Sequence, residues 1–268
     1  MDETADQNHD DLDPQKTVPS SVFIEIQTVP LRSTARDLRL RDGDVIVAID
    51  GVACHVDITE FEDLLLDALD DETSVLVTIG RDQIFFEIFM TEPLGVSLDY
   101  TDAQRAMDIA ARFANHSVGS KEQYQTYEAL RDVQRHVTIY STQYSGLATI
   151  CPPLWLLQHR AFEPLAAVCG AYAAAAAVHW AALGITVILI GAYFHKIQFR
   201  IIRNYNIFTD HFYWLVCAAR SVADAQKICR EIDPKCIFSF SHVGPPLDNE
   251  VEDKKAARRS ARAKRKMA

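Results

Sequence analysis

The chain offers nine histidines, six cysteines and many carboxylates for chemistry, so their spacing is the first question. No H-E-x-x-H or other ligand-spaced histidine set occurs, which argues against a metal site. No G-x-S-x-G element is present, and no glycine-rich loop ends in Lys and Ser or Thr to cradle a phosphate. Ser117 and Ser145 lie in loop-like sequence without the His and Asp context that activates a serine. The cysteines (Cys54, Cys151, Cys169, Cys217, Cys229 and Cys236) form no C-x-x-C pair. His179 sits inside a long uncharged run, where an imidazole serves as a proton relay or ligand, or simply caps a turn. These patterns point away from an enzyme and imply no cofactor. One stretch suits recognition, Pro93-Leu94-Gly95-Val96-Ser97-Leu98. Backbone N–H groups around Gly95 can receive a chain-terminal carboxylate while a peptide adds as a strand beside Val96 to Leu98. The same residues also suit a plain exit from the domain before them.

The elements that would hold this loop lie upstream. Residues 1–19 are polar and acidic and read as a disordered leader. Order is expected from the alternating strand SSVFIEIQTV. A helix follows in DITEFEDLLLDALDD, with Phe61, Leu64, Leu65 and Leu69 on one face, and then two strands, SVLVTIG and QIFFEIFM, joined at Arg81-Asp82. Between the first strand and the helix, Gly43 allows a tight turn, Asp44 can cap or brace it, and Val45 to Ile49 form a buried strand. Asp50-Gly51 is a hairpin turn of the favoured kind. The run Leu40 to Gly51 resembles the L-x-x-G-D-x-I-x-x-I-(D/N)-G signature of PDZ domains, and the likeness extends over about residues 21–91. It implies a small β-barrel or sandwich, a groove beside the Phe61 and Leu65 helix, and a protein or peptide chain end as partner. The chain departs from that family at the front, because no glycine-containing carboxylate loop precedes Val22. Leu94 to Leu98 would then supply a permuted loop. The other place for a groove is beside Val22 to Thr28, against the Phe61 helix.

Residues 101–135 read as a helical connector, TDAQRAMDIAARFANHS and SKEQYQTYEALRDVQRH, with Thr101 and Ser120 as N-caps. The first helix carries a stripe of Ala106, Ile109, Ala110 and Phe113. Residues 136–240 form an anchor domain around the uncharged run Pro164 to His195. As one helix that run would be roughly 48 Å long, against a hydrocarbon core of about 30 Å. A hairpin turning near His179-Trp180 to Gly184, at about 162–199, places Arg160, Lys196, Arg200 and Arg203 on one side, where they can face anionic lipid. A single tilted span separates Arg160 from the other three, and a buried helical pair in a soluble domain is the third reading. Trp155, His159 and Arg160 suit an interfacial helix before insertion. The strand HFYWLVCAA is expected to pair with HVTIYST, and Ser221 to cap the helix VADAQKICREI with Asp224 at its third position. The order PPLWLLQHR, apolar run, basic cluster and CAARS is similar to a family of short, uncharacterised bacterial membrane proteins, over about residues 136–230. That likeness implies two close spans and imports no activity.

The formal net charge is −10, which argues against a general nucleic-acid binder, although residues 241–268 end as a basic, disordered tail. MDETADQNHDDLDPQK has no apolar core of a secretory signal, so reduced thiols and a cytoplasmic context are expected. The reading is an α+β chain: a PDZ-like domain (20–100), the connector, and a membrane helical hairpin with a small cytoplasmic αβ element. It would sit in the bacterial inner membrane with both termini cytoplasmic. It acts there as an adaptor, or as an accessory or assembly subunit whose main contact is the hairpin.

Overall fold

The computed structural model describes residues 22–247. The acidic leader and the basic tail after residue 247 lie outside the described residues. The fold is mixed α+β. The first half holds β1 (Ile24–Thr28), α1 (Thr34–Asp37), β2 (Val45–Ile49), β3 (Val52–Ala53), α2 (Ile58–Asp70), β4 (Val75–Arg81), β5 (Ile84–Met90), β6 (Ser97–Tyr100) and α3 (Ala103–Phe113). The second holds β7 (Gln125–Arg131), β8 (His136–Ser141), α4 (Gly146–Ile150), α5 (Pro152–Gln158), α6 (Phe162–Val178), α7 (Trp180–Phe208), β9 (Phe212–Ala219), α8 (Val222–Ile232) and β10 (Ile237–Phe238).

All the strands join one sheet in the order β10-β8-β7-β9-β5-β4-β2-β1-β6, with β3 on β2. Of the barrel or sandwich expected for the first half, a closed barrel is not formed: β5 spends its outer edge on β9, through Glu87 opposite Ala218. The two halves share a core. Ile26, Ile46, Phe61, Leu65 and Ile88 from the first half belong to the same buried cluster as Leu215, Ala225 and Cys229 from the second. On the other face of the first half, Phe23, Val45 and Val47 receive Ala106 and Ile109 of α3. Alternate side chains of β1 and β2 thus feed opposite layers, as a period of two requires.

The turns follow from backbone chemistry. Gly43 has φ +85°, and Asp50 and Gly51 both have positive φ (47° and 82°), the requirement of a primed hairpin turn. Arg81 is not in the β4–β5 turn; it is the last residue of β4 and buried, and the turn falls at Asp82, with φ 53°. Leu69 leaves the α2 stripe and is 46% exposed, its place taken by Ala68.

The second helix of the connector does not form. Residues 121–123 make one short 3-10 turn, and Gln125–Arg131 is strand β7. Flanked by β8 on one edge and β9 on the other, this segment gains two ladders of hydrogen bonds, which outweigh its helix-forming composition. β9 consequently pairs with β7, not β8. The β7–β8 hairpin closes locally, its turn braced by Asp132 accepting from the His136 N–H at 2.7 Å. Thr101 is not a cap either. Asp102 caps α3, and the Thr101 hydroxyl accepts from the Phe23 N–H at 3.1 Å. Ser120 precedes the 3-10 turn without a side-chain cap bond. Ser221 caps α8 by accepting from the Asp224 N–H.

The uncharged run breaks at His179, whose extended backbone separates α6 from α7 and whose Nδ1 accepts from the Ala181 N–H at 3.1 Å. Beyond the break the chain returns: the Tyr205 hydroxyl donates to the Arg160 carbonyl, and Leu165, Val168 and Tyr172 pack with Ile190, Phe194 and Ile201. Only one face of α7 is buried, at Gly191, Phe194, Gln198, Ile202 and Asn206. It rests on α4, α5 and the sheet. Trp155 is part of that contact, 4% exposed and edge-on to Phe194 at 6.0 Å, so it does not lie at an interface; Leu154 and Leu157 point outward instead.

Candidate functional site

Strand β6 ends the sheet. It pairs with β1 through Ile24–Tyr100, Glu25–Asp99 and Ile26–Leu98, and no strand pairs with its other side among the described residues. β1 has β2 on one edge and β6 on the other, which closes the alternative groove beside Val22 to Thr28.

The loop before β6 is set from both ends. Leu94 is buried, and its carbonyl accepts from the Ala35 N–H at 3.1 Å. Gly95 then takes φ +64°, a conformation that side chains resist, with Ser33 3.6 Å from where a Cβ would stand. The N–H groups of Gly95 and Val96 have no acceptor among the described residues. Successive free N–H groups at a backbone reversal make a small concavity that suits an anionic oxygen.

Beside this loop runs α2. Its Ile58 N–H donates to the Tyr100 hydroxyl at 3.2 Å, which holds the helix start against β6. The two helix residues singled out from sequence stand elsewhere: Phe61 and Leu65 are buried to 1% exposure or less, and belong to the core beneath. The half-buried apolar side chains alongside are Ile58 and Leu64 from α2 and Val96 and Leu98 from the loop and strand. Ser97 is exposed. The arrangement has an edge that accepts backbone hydrogen bonds, two N–H donors at its start, and apolar side chains for alternate residues of an extended chain.

The structural turn is as firm as its sequence implied, with an added partner. Asp44 accepts from the Arg41 N–H at 2.8 Å and from Arg81 Nε and Nη2 at 2.8 and 2.6 Å. Both side chains are nearly fully buried. Arg81 Nη2 also donates to the Arg39 carbonyl.

The four cations singled out for lipid are not equivalent. Lys196 and Arg200 are exposed on α7, and Arg160 is exposed with its guanidinium 4.5 Å above the Phe240 ring. Arg203 turns inward. It forms an ion pair with Glu128 of β7, which also accepts from Tyr140 and, at 2.9 Å, from Tyr213. Three side chains thus converge on one buried carboxylate, and Arg203 fastens α7 to the sheet. Burial and the adjacent Glu128 push the Tyr140 phenol above its usual range. Nothing in the polar sequence around Glu128 marks it as buried. No family model matches the chain, and no curated protein matches it.

Proposed function

We propose that this chain is a membrane-anchored, PDZ-like interaction protein that captures an extended chain end at the β6 edge and performs no catalysis. The observation that carries the reading is the unpaired β6 edge, preceded by the free N–H groups of Gly95 and Val96 and flanked by α2. A terminal carboxylate would sit at those N–H groups, and the peptide would continue antiparallel to β6.

Its anchor is the hairpin of α6 and α7. Support comes from α7, with mean hydropathy 1.5 over its most apolar window and only 11% of that window buried, unlike a core helix. Val178 and Trp180, at the break, are about four-fifths exposed, and Phe162 of α6 and Ile185, Ile188 and Leu189 of α7 are exposed as well. Exposed Lys196 and Arg200, with Arg160, would meet headgroups at the open end and leave both termini on the cytoplasmic face of a bacterial inner membrane. A second reading, an accessory subunit whose hairpin contacts other membrane helices, is favoured by the same exposed arms.

Binding of C-terminal peptides to the full chain in nanodiscs, with wild type and Gly95→Val, tests the capture site. Valine at φ +64° displaces the N–H groups, so peptide binding should be lost while the chain, though less stable, remains folded. Retained affinity in the folded variant removes the carboxylate loop from the reading. Reporter fusions at Gly244 and at Thr17 should both give cytoplasmic readouts; opposite readouts exclude the hairpin.

A further inference from the structure

Where the loop after β1 meets the β7–β8 turn and β9, a cleft of about 520 Å³ opens between the two halves of the molecule, a size common for small-ligand sites. Its wall carries Arg36, Arg39, Arg41, Arg131 and Arg135 and one carboxylate, Asp233. Asp233 bridges Arg131 at 2.9 Å and Arg135 at 3.0 Å, one negative charge against two positive ones. Arg36, Arg39 and Arg41 form no salt bridge among the described residues. Of the acids nearby, Asp44 is engaged by Arg81 and Glu128 by Arg203, while Asp37 and Asp82 are exposed outside the wall.

Such crowding of like charges is unfavourable, and the site holds it in place. Arg39 lies 4.6 Å over the Tyr213 ring, and Arg131 lies 4.8 Å over Trp214. Aromatic faces orient these guanidinium groups without neutralising them. The Nε–H of Arg39 and that of Arg131 are buried with no acceptor among the described residues. Burial, then neighbouring Arg36, lowers the pKa of Arg39; burial, then Arg81, lowers that of Arg41. An anion in the cleft would relieve all of these together, and guanidinium forks match tetrahedral oxyanions with paired N–H bonds.

We propose that this cleft binds a phosphorylated ligand, with a phosphomonoester or diphosphate group carrying at least two negative charges. A singly charged carboxylate would leave most of the four-charge excess uncompensated. The ligand can be a soluble phosphoester or the phosphomonoester headgroup of a lipid, since the cleft lies at the end of α7 where β9 begins. The cleft wall shares no residue with β6 or the Gly95 loop.

The test uses the full chain in nanodiscs of zwitterionic lipid, titrated with pyrophosphate and followed by calorimetry and by Trp fluorescence, Trp214 being in the wall. Saturable binding that weakens as salt rises is expected. Arg36→Glu with Arg41→Glu, two exposed side chains, should weaken it at least tenfold without lowering the melting temperature. Arg39→Asn keeps a residue that tolerates φ 59° and should also weaken it at least tenfold, which covers failure of the double variant to fold. In a second arm, nanodiscs containing phosphatidic acid should compete with pyrophosphate if the source is a headgroup, and leave it unchanged if the source is soluble. Absence of binding in both arms, or equal affinity in wild type and folded variants, overturns the site.

Discussion

Replacing Asp44 by Ala tests how the first half is held together. The substitution leaves Arg81, at 5% exposure, without the carboxylate that receives both its Nε and its Nη2, and it removes the acceptor of the Arg41 N–H. The Arg81 charge cannot reach water without opening β4, and its Nη1 already lacks an acceptor among the described residues. Breaking a buried pair from one side costs about 3–5 kcal/mol, because the remaining charge stays desolvated. For a chain of this size, that lowers the melting temperature by roughly 6–20 °C, at about 2–4 °C per kcal/mol. Pairing Asp44→Leu with Arg81→Met removes both charges, so more than half of the loss should return. Full-length protein in detergent is melted by circular dichroism, with amide exchange of β2 and β4 as the local readout. A loss of about 1 kcal/mol or less for Asp44→Ala, or no recovery in the double variant, would refute the claim that this pair is desolvated. Because Arg81 also holds the Arg39 carbonyl, Asp44→Ala should loosen the arginine loop and weaken pyrophosphate binding as well.

Other outcomes follow from single contacts. Gly191→Ala brings a Cβ to 2.6 Å from the Thr149 carbonyl oxygen, so α4 must shift; a cost of about 1–3 kcal/mol is expected by denaturant midpoint, with Gly170→Ala, which meets nothing, as the neutral control. Burial pushes the Cys217 and Cys236 thiols up to about 12 from an ordinary 9.0. Above pH 9 the unfolded state then loses protons that the folded state keeps, so stability should be level below pH 9. It should fall as pH rises towards 12, by about 1.4 kcal/mol per unit for each thiol, and Cys217→Ser should flatten the slope. Cys169 is exposed on α6; in bilayers a permeant maleimide should label it and a charged one should not, and equal labelling by both would place α6 outside the lipid.

What was legible in the sequence were the local features with strong stereochemistry. Gly43 and the Asp50-Gly51 turn demand positive φ, Ser221 and Asp224 make a cap, and the alternation in VFIEIQ and VLVTIG makes strands whatever surrounds them. The strand β7 was hidden, because Gln125 to Arg131 holds helix-forming residues and becomes a strand only when its partners in β8 and β9 arrive from 6 to 94 residues away in sequence. The edge of the candidate site was readable as a loop before a strand. Which helix residue stood beside it was not: the period of α2 placed Phe61 and Leu65 on the apolar face, but the centre of that face is core, and it is Ile58 at the helix start whose N–H reaches Tyr100 of β6. The arginine cleft was illegible for a plainer reason, since its cations come from a loop, a hairpin turn and the end of β7 that meet only after the sheet is assembled.

The helix α7 and Tyr213 of β9 show how the second half is tied together and to the first. Its first eleven residues, Trp180 to Ile190, carry no charge, while its last thirteen, Lys196 to Phe208, hold Gln198, Arg203 and Asn206 on or beside the face that meets the rest of the protein. Gln198 accepts from the Ser145 N–H at 3.1 Å, and Arg203 reaches Glu128 in the middle of β7. The loop preceding α4 thus engages the Gln198 oxygen and the sheet engages Arg203, whereas Asn206 donates to the Ile202 carbonyl of its own helix and Gln198 Nε2 has no acceptor among the described residues. The C-terminal part of α7 is therefore tied to the folded sheet. Tyr213 closes the circuit: its hydroxyl donates to Glu128 and its ring lies under both Arg39 and Arg203. One aromatic side chain of β9 thus touches the Arg203–Glu128 pair on one hand and the wall of the arginine cleft on the other. Replacing Tyr213 by Phe should keep the stacking and lose only the bond to Glu128, whereas Tyr213→Ala should disturb helix anchoring and pyrophosphate binding together.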